Sequence, residues 1–352
     1  MTLPLPMTPR DRVMVFAPHP DDETLATGEL IQSALAVGAR VRVVFATDGD
    51  NNPWPQRWLE RRWHVGAAER ARWGQRRRRE ALAALAVLGV DDASARFLGW
   101  PDQGLTQCLM RDDTAIDVLA QEISGFVPTH VAMPVLGDRH PDHSALRVML
   151  DLALLHAGVA CSRLGFVVHG LAAPANARAV AADTRHHMLK QQAMCAHASQ
   201  VALSRRRLLE LAARPERFDV IESHDAAPTA LAQRSVLRIA PPSRAFLRRE
   251  ELLLIVATAH ETMRFRIALP QSTAATPSAA NQHGHALTTA WVDDALAVTL
   301  PATSSPIVGL YAKRERIGPR LVIFDAEGWR DAAQLLREPT PVVGREAAAS
   351  LS

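Results

Sequence analysis

Cysteine is scarce. The chain carries three, Cys108, Cys161 and Cys195, an odd number with no close pair, which argues against a disulfide framework or a cysteine zinc site and favours a reducing compartment. No apolar run reaches the length of a bilayer-spanning helix. The stretch Met1 to Arg10 also lacks the basic segment and apolar run of a signal peptide. A cytoplasmic protein is therefore expected, without a transmembrane segment but with room for peripheral membrane contact. Neither sign of charge dominates. The net charge is +3 over 352 residues, too little to call for nucleic acid as a partner. Internal repeats are lacking as well. What is present is ordinary globular usage, 48% hydrophobic and 22% charged, which excludes a disordered or fibrous chain. The length exceeds that of one usual compact domain, so two folding units are expected.

The apolar run from Val13 to Ala17 suits a strand buried on both faces. Thr24 to Val37 has helical spacing and ends at Gly38. Val41 to Ala46 reads as a second strand, followed after Thr47-Asp48-Gly49-Asp50 by a long helical pattern to about Leu88. Ala95 to Leu98, Val131 to Val135 and Leu164 to Val168 continue the strands, with helical stretches near Thr114 to Ile123, Ser144 to His156 and Thr184 to Ala213. Alternation of this kind predicts an α/β fold: a Rossmann-like, mostly parallel sheet with helices on both faces, over residues 1–225. Beyond His224 the pattern changes to short strands, from Leu252 to Ala257, Arg264 to Leu269, Ala295 to Leu300, Ile307 to Ala312 and Arg320 to Phe324. Residues 226–352 therefore predict a small antiparallel β domain. Within it, Gln271 to His285 reads as a loop.

Two clusters carry the chemistry. His19-Pro20-Asp21-Asp22-Glu23 follows the first strand and precedes the first helix. His140-Pro141-Asp142-His143 likewise stands between the strand at Val131 to Val135 and a helix. In open α/β sheets ligands bind outside the carboxyl ends of the strands, so both clusters point to one crevice. Catalytic zinc commonly takes three nitrogen and oxygen ligands and keeps a position for water. His19, Asp22 and His143 can supply that set. Asp21 is then free to act as general base, His140 faces substrate, and Asp142 can orient His140 and favour its charged form. Either cluster alone suits an acidic or histidine-capped helix start; the two together are hard to explain by packing.

These motifs resemble those of the PIG-L/LmbE-like N-acetylglucosaminyl deacetylases. The family reads Ala-His-Pro-Asp-Asp-Glu where this chain has Pro18-His19-Pro20-Asp21-Asp22-Glu23, and its His-Pro-Asp-His is intact at 140–143. The resemblance spans about residues 10–225. It implies zinc ligands at His19, Asp22 and His143, a general base at Asp21, and a transition-state histidine at His140 with Asp142 behind it. It also implies a substrate-contacting Arg77, a sugar-gripping Asp102 and, more loosely, an acidic substrate contact at Asp48 or Asp50. The stretch from Lys190 to Gln200, with His197, matches a late family segment and reads as structural. The expected activity is zinc-dependent removal of the acetyl group from an N-acetylglucosamine-type conjugate, free or linked to lipid or polysaccharide. An amidase on another acyl amine and a non-catalytic saccharide-binding protein are the alternatives.

Trp54, Trp58, Trp63 and Trp73 alternate with Arg57, Arg61, Arg62, Arg70, Arg72 and Arg76 to Arg79. That mixture reads either as a solvated basic helix face with a tryptophan or two buried, or as a recruitment surface beside the crevice. The remaining histidines, including His130, His156, His169 and His186, have no usable partner spacing.

Overall fold

The computed structural model describes residues 3–170, 177–181, 183–221, 236–239, 249–269, 279–280, 286–292, 295–317, 324, 328–333 and 336–337. The chain divides into two compact units, one comprising Met1–Ala227 and Arg320–Arg330, the other Pro228–Pro319 and Asp331–Ser352. The segment Arg320–Arg330, which the sequence pattern assigns to the β-rich part, groups with the first unit.

The first unit is built on one eight-stranded sheet. Its strands are β1 (Leu3–Pro4), β2 (Arg12–Ala17), β3 (Arg40–Thr47), β4 (Ala95–Trp100), β5 (His130–Pro134), β6 (Ser162–Phe166), β7 (Arg178–Ala179) and β8 (Arg217–Ile221), in the order β1-β7-β8-β6-β5-β2-β3-β4. From β6 to β4 every pairing is parallel; β8 runs antiparallel to β6. β2 is at the centre because Val13 to Ala17 are apolar on both faces and all buried, as a strand covered by helices on both sides requires. The helices are α1 (Asp22–Ala36), α2 (Pro53–Glu60), α3 (Ala67–Leu88), α4 (Leu105–Arg111), α5 (Thr114–Phe126), α6 (Pro141–Ala157), α7 (Thr184–Ala196) and α8 (Ala198–Ala212). Val13, Val15, Val43 and Phe45 pack with Leu30, Ile31 and Leu85 in a core of this unit.

The chain winds from β2 through β3 to β4 on one side of β2 and places β5 and β6 on the other. The switch point therefore lies between β2 and β5, the two strands whose carboxyl ends carry the histidine motifs, and a crevice opens at such a point.

Three departures from the sequence pattern have local causes. The single helix expected to reach Leu88 is split into α2 and α3, because Arg61 adopts a left-handed conformation (φ 51°) that ends α2. The helical run from Thr184 breaks at His197 (ψ 56°), whose ring is drawn to Glu23. The short α4 lacks the length to show a period.

Among the described residues of the second unit, β9 (Val236–Ile239), β10 (Arg249–Thr258), β11 (Thr262–Leu269), β12 (Ala279–Ala280), β13 (Ala286–Val292), β14 (Ala295–Thr299), β15 (Ile307–Ile317) and β17 (Leu336–Arg337) fall in two sheets; the two-residue β16 (Arg330–Asp331) stands at the division between the units. β10 pairs antiparallel with β11 and β15, and β14 pairs antiparallel with β13 and β9. Leu252, Leu254, Phe265, Ile267 and Val298 are in its core. The expected loop from Gln271 to His285 and the strand from Arg320 to Phe324 lie mostly outside the described residues.

Candidate active site

The loop after β2 turns sharply into α1, and Asp21 occupies the turn with φ 121° and ψ −27°. That conformation strains any residue with a Cβ. Glu23 holds the turn from below: its Oε2 accepts the Asp21 backbone N–H at 2.8 Å, while its Oε1 lies 3.0 Å from His197 Nε2 and accepts the Thr24 hydroxyl at 2.6 Å. Arg77 of α3 holds it from above. This buried guanidinium donates to Asp21 Oδ2 (3.1 Å), to Gly49 O (2.8 Å) and to Pro20 O. Gly49 is required there, because its φ is +61° and a Cβ would lie 1.7 Å from Arg77 Nη1.

His140 caps α6, with Pro141 in the first turn where a missing N–H leaves no bond unmade. His143, one turn further, is fully buried. Across the switch point the two motifs meet. Asp22 Oδ2 lies 3.1 Å from His19 Nδ1 and 3.2 Å from His143 Nε2. Behind His143, Asp138 Oδ2 lies 3.2 Å from Nδ1. The same carboxylate accepts the backbone N–H groups of His140, Val168 and His169. His19 Nε2 is 3.3 Å from both Asp102 Oδ1 and Asp142 Oδ2.

Electrostatics follow from this packing. Burial opposes charge on His143, yet Asp138 and Asp22 hold it up at about 10. Burial likewise works against the Asp22 carboxylate, but His143 and His19 keep its carboxyl well below the usual range. Asp21 is pushed up to about 6 by burial, with Arg77 pulling it back. His140 is held neutral by burial and by the neighbouring His19, His143 and His169. Its Nδ1 accepts the Asp142 N–H at 3.3 Å, so the neutral ring carries its proton on Nε2.

The donor set fits a divalent cation. The side chains of His19, His140 and His143 offer ligand atoms within 4.8 Å of one another, as do those of Asp22, His143 and His169. Neither ring nitrogen of the buried His143 completes a hydrogen bond, although Asp22 and Asp138 each lie 3.2 Å away. Its Nδ1 faces Asp138, the carboxylate–histidine arrangement that orients a metal ligand.

These groups border a cavity of about 240 Å³ whose wall includes His19, Asp21, Asp22, Arg77, Asp102 and His140. A second cavity of about 240 Å³ adjoins it through His169, Arg207, Leu211 and Phe324 and adds Arg139 and Arg214. The expected substrate contacts separate here. Arg77 and Asp102 line the cavity; Asp48 and Asp50 do not. Asp48 instead accepts from Arg78 Nε at 2.6 Å, and Gly74 of α3 packs closely on both aspartates. Asp142 is also placed differently from expectation. Its carboxylate accepts the N–H groups of Gln103 (2.6 Å) and Leu105 (3.1 Å); it fixes the loop before α4 and faces His19, and only its backbone N–H reaches the His140 ring.

Sequence reasoning passed over Asp138, His169 and the Glu23–His197 pair. His169 stands just beyond the carboxyl end of β6, its ring 5.0 Å from that of His143, so its position after a strand was the available signal.

Fold and cluster together define a Rossmann-like α/β protein with a candidate metal centre at its switch point. Residues 14–154 match the family described as PIG-L, GlcNAc-PI de-N-acetylase. A 1D-myo-inositol 2-acetamido-2-deoxy-alpha-D-glucopyranoside deacetylase of Mycolicibacterium gilvum is 36% identical over 149 residues, 38% of this chain and 50% of that protein. The protein of the same name from Mycobacterium sp. strain KMS is 31% identical over 196 residues, 51% of this chain and 61% of that one. The chain thus spans about half to three-fifths of the length of these relatives. Among solved structures, the N,N'-diacetylchitobiose deacetylase from Pyrococcus horikoshii is similar with a TM-score of 0.47 and 17% identity, covering 63% of this chain and 88% of that one.

Proposed function

We propose that the chain removes the acetyl group from an N-acetylglucosamine-type amino sugar conjugate, releasing acetate and a free amine, with zinc held by His19, Asp22 and His143. The observation that carries this reading is the position of Asp22 Oδ2 between His19 Nδ1 and His143 Nε2, at 3.1 and 3.2 Å. Asp21, the preceding residue in the chain, faces the same cavity. When bound, such an ion supplies Lewis acidity and a water acidified toward neutral pH. Asp21 takes the proton of the attacking water as general base, its carboxylate aimed by Arg77 and by the Glu23-supported turn. His140, neutral with its proton on Nε2, is a hydrogen-bond donor for the oxygen of the acetyl carbonyl as negative charge builds there. Asp21 then returns its proton to the departing amine. Asp102, on the cavity wall, accepts from sugar hydroxyls. A pocket that only bound saccharide would need neither the strained Asp21 nor a neutral His140.

The test is acetate release from N-acetylglucosamine conjugates by purified protein of measured zinc content, with and without a chelator. Release that depends on the metal and is lost in Asp21→Ala is expected. Stoichiometric metal with no release from any N-acetylhexosamine conjugate would remove the reading.

A further inference from the structure

Of the four tryptophans between Asn51 and Glu80, only Trp73 is core, at 0% exposure. Trp54, Trp58 and Trp63 are 62%, 67% and 84% exposed, and Leu59 between them is 37% exposed. Large apolar side chains gathered on a surface in this way mark an interaction site. Trp54 and Trp58 are one helical turn apart on α2 and share a face; Trp63 follows where left-handed Arg61 has ended the helix. The Arg57 side chain ties the group together, donating from Nε to Trp63 O at 2.9 Å with its guanidinium 5.2 Å from the Trp54 ring centroid.

The charge around them is basic. From Pro53 to Arg72 there are five arginines and two glutamates. Both glutamates are engaged, Glu60 with Arg72 at 2.8 Å and Glu69 with Arg62 at 3.7 Å. Arg57 and Arg61 have no carboxylate partner among the described residues.

We infer that α2 and the turn after it dock on an anionic lipid bilayer, the tryptophans and Leu59 entering the headgroup boundary and the arginines meeting the acidic headgroups. Tryptophan favours that boundary because its ring is apolar and its N–H is polar, and each arginine near an anionic surface strengthens attachment by about fivefold. Two observations favour a bilayer over a saccharide or a single-stranded nucleic acid. Those ligands need open ring faces to stack on, and Arg57 takes one face of Trp54. Neither gains from an exposed leucine, which lipid accommodates. Asn52 and Pro55, beside the tryptophans, border the active-site cavity, so docking brings its mouth to the bilayer.

The experiment reads binding, not turnover, and is independent of the deacetylase reading. The full chain is sedimented with vesicles of phosphatidylcholine alone and of an equal mixture with phosphatidylglycerol, at low and high salt. Sedimentation with the mixed vesicles is expected, reduced by salt, with a blue shift of tryptophan emission. Trp54→Ala/Trp58→Ala/Trp63→Ala and Arg57→Gln/Arg61→Gln should each lose at least about tenfold in partitioning. Their circular dichroism should be unchanged, since the three tryptophans and Arg61 are exposed and Arg57 bonds only to the turn that follows its own helix. No sedimentation with mixed vesicles, or wild-type partitioning by the tryptophan variant, overturns the inference. So does tighter, tryptophan-dependent binding to an RNA oligonucleotide or a chito-oligosaccharide than to the vesicles.

Discussion

Asp138 Oδ2 lies 3.2 Å from His143 Nδ1, and neither side chain is exposed to solvent. The carboxylate does more than pair with the imidazole. By accepting the backbone N–H groups of Val168 and His169 it also ties the end of β6 to the loop that leads into α6, the helix of His143. Asp138→Asn keeps the shape but removes the charge that favours a proton on Nδ1 and a ligand on Nε2. Metal affinity should fall by about 10- to 100-fold, measured by competition with a chromogenic chelator. Affinity within twofold of wild type would show that His143 is oriented by something else.

Asp21 combines the general-base role proposed for it with a strained backbone. At φ 121° a glycine is relaxed and an alanine is not. Asp21→Ala and Asp21→Gly should therefore both lose about 10²- to 10⁴-fold in turnover, yet differ in stability. The glycine variant should be the more stable of the two by about 1 kcal/mol, a value at the low end of what such strain costs. Thermal denaturation of the two proteins side by side decides it. Equal midpoints would mean that the turn relaxes once the carboxylate is gone.

The pH dependence of turnover should report on Arg77. Burial raises the Asp21 pKa to about 6 and Arg77 opposes the rise. A general base acts in its ionised form, so activity falls as the pH drops through that group's pKa. Removing the guanidinium leaves burial unopposed. In Arg77→Gln the acid limb of kcat/KM should move to higher pH, and its plateau should fall because the turn has lost its upper support. Gly49→Ala should act in the same direction, since the added Cβ displaces the guanidinium. A limb at the wild-type position in both variants would exclude Asp21 as the titrating group.

Much of this site is visible in the amino-acid sequence because its parts stand at strand ends. His19 to Glu23 and His140 to His143 each follow a buried apolar run, and that placement predicts one crevice before any contact is known. Asp138 and His169 are single polar residues in loops; they acquire meaning only because β5 and β6 are neighbours in the sheet, a pairing that no local pattern carries. The same is true of His197, brought to Glu23 from 174 positions away. Helical period also concealed the end of α2. Between Gln56 and Val65 no glycine or proline interrupts the sequence, so nothing there announces a left-handed arginine.

The first unit also depends on a buried ion pair away from the cavity. Lys190 Nζ lies 2.8 Å from Glu216 Oε1, and neither residue's side chain is more than 2% exposed. Glu216 further accepts the N–H groups of Glu29 and Leu30 in α1, each at 2.8 Å, so this one carboxylate joins α7, α1 and the start of β8. Glu216→Gln should destabilise the fold by about 3–5 kcal/mol, because the lysine ammonium is left without its counter-charge in a dry interior. Lys190→Met/Glu216→Leu removes both charges and should recover much of that loss. Urea denaturation followed by far-ultraviolet circular dichroism measures both. If the single variant unfolds within about 1 kcal/mol of wild type, the ammonium has found water or another acceptor, and the pair does not anchor α7 to α1.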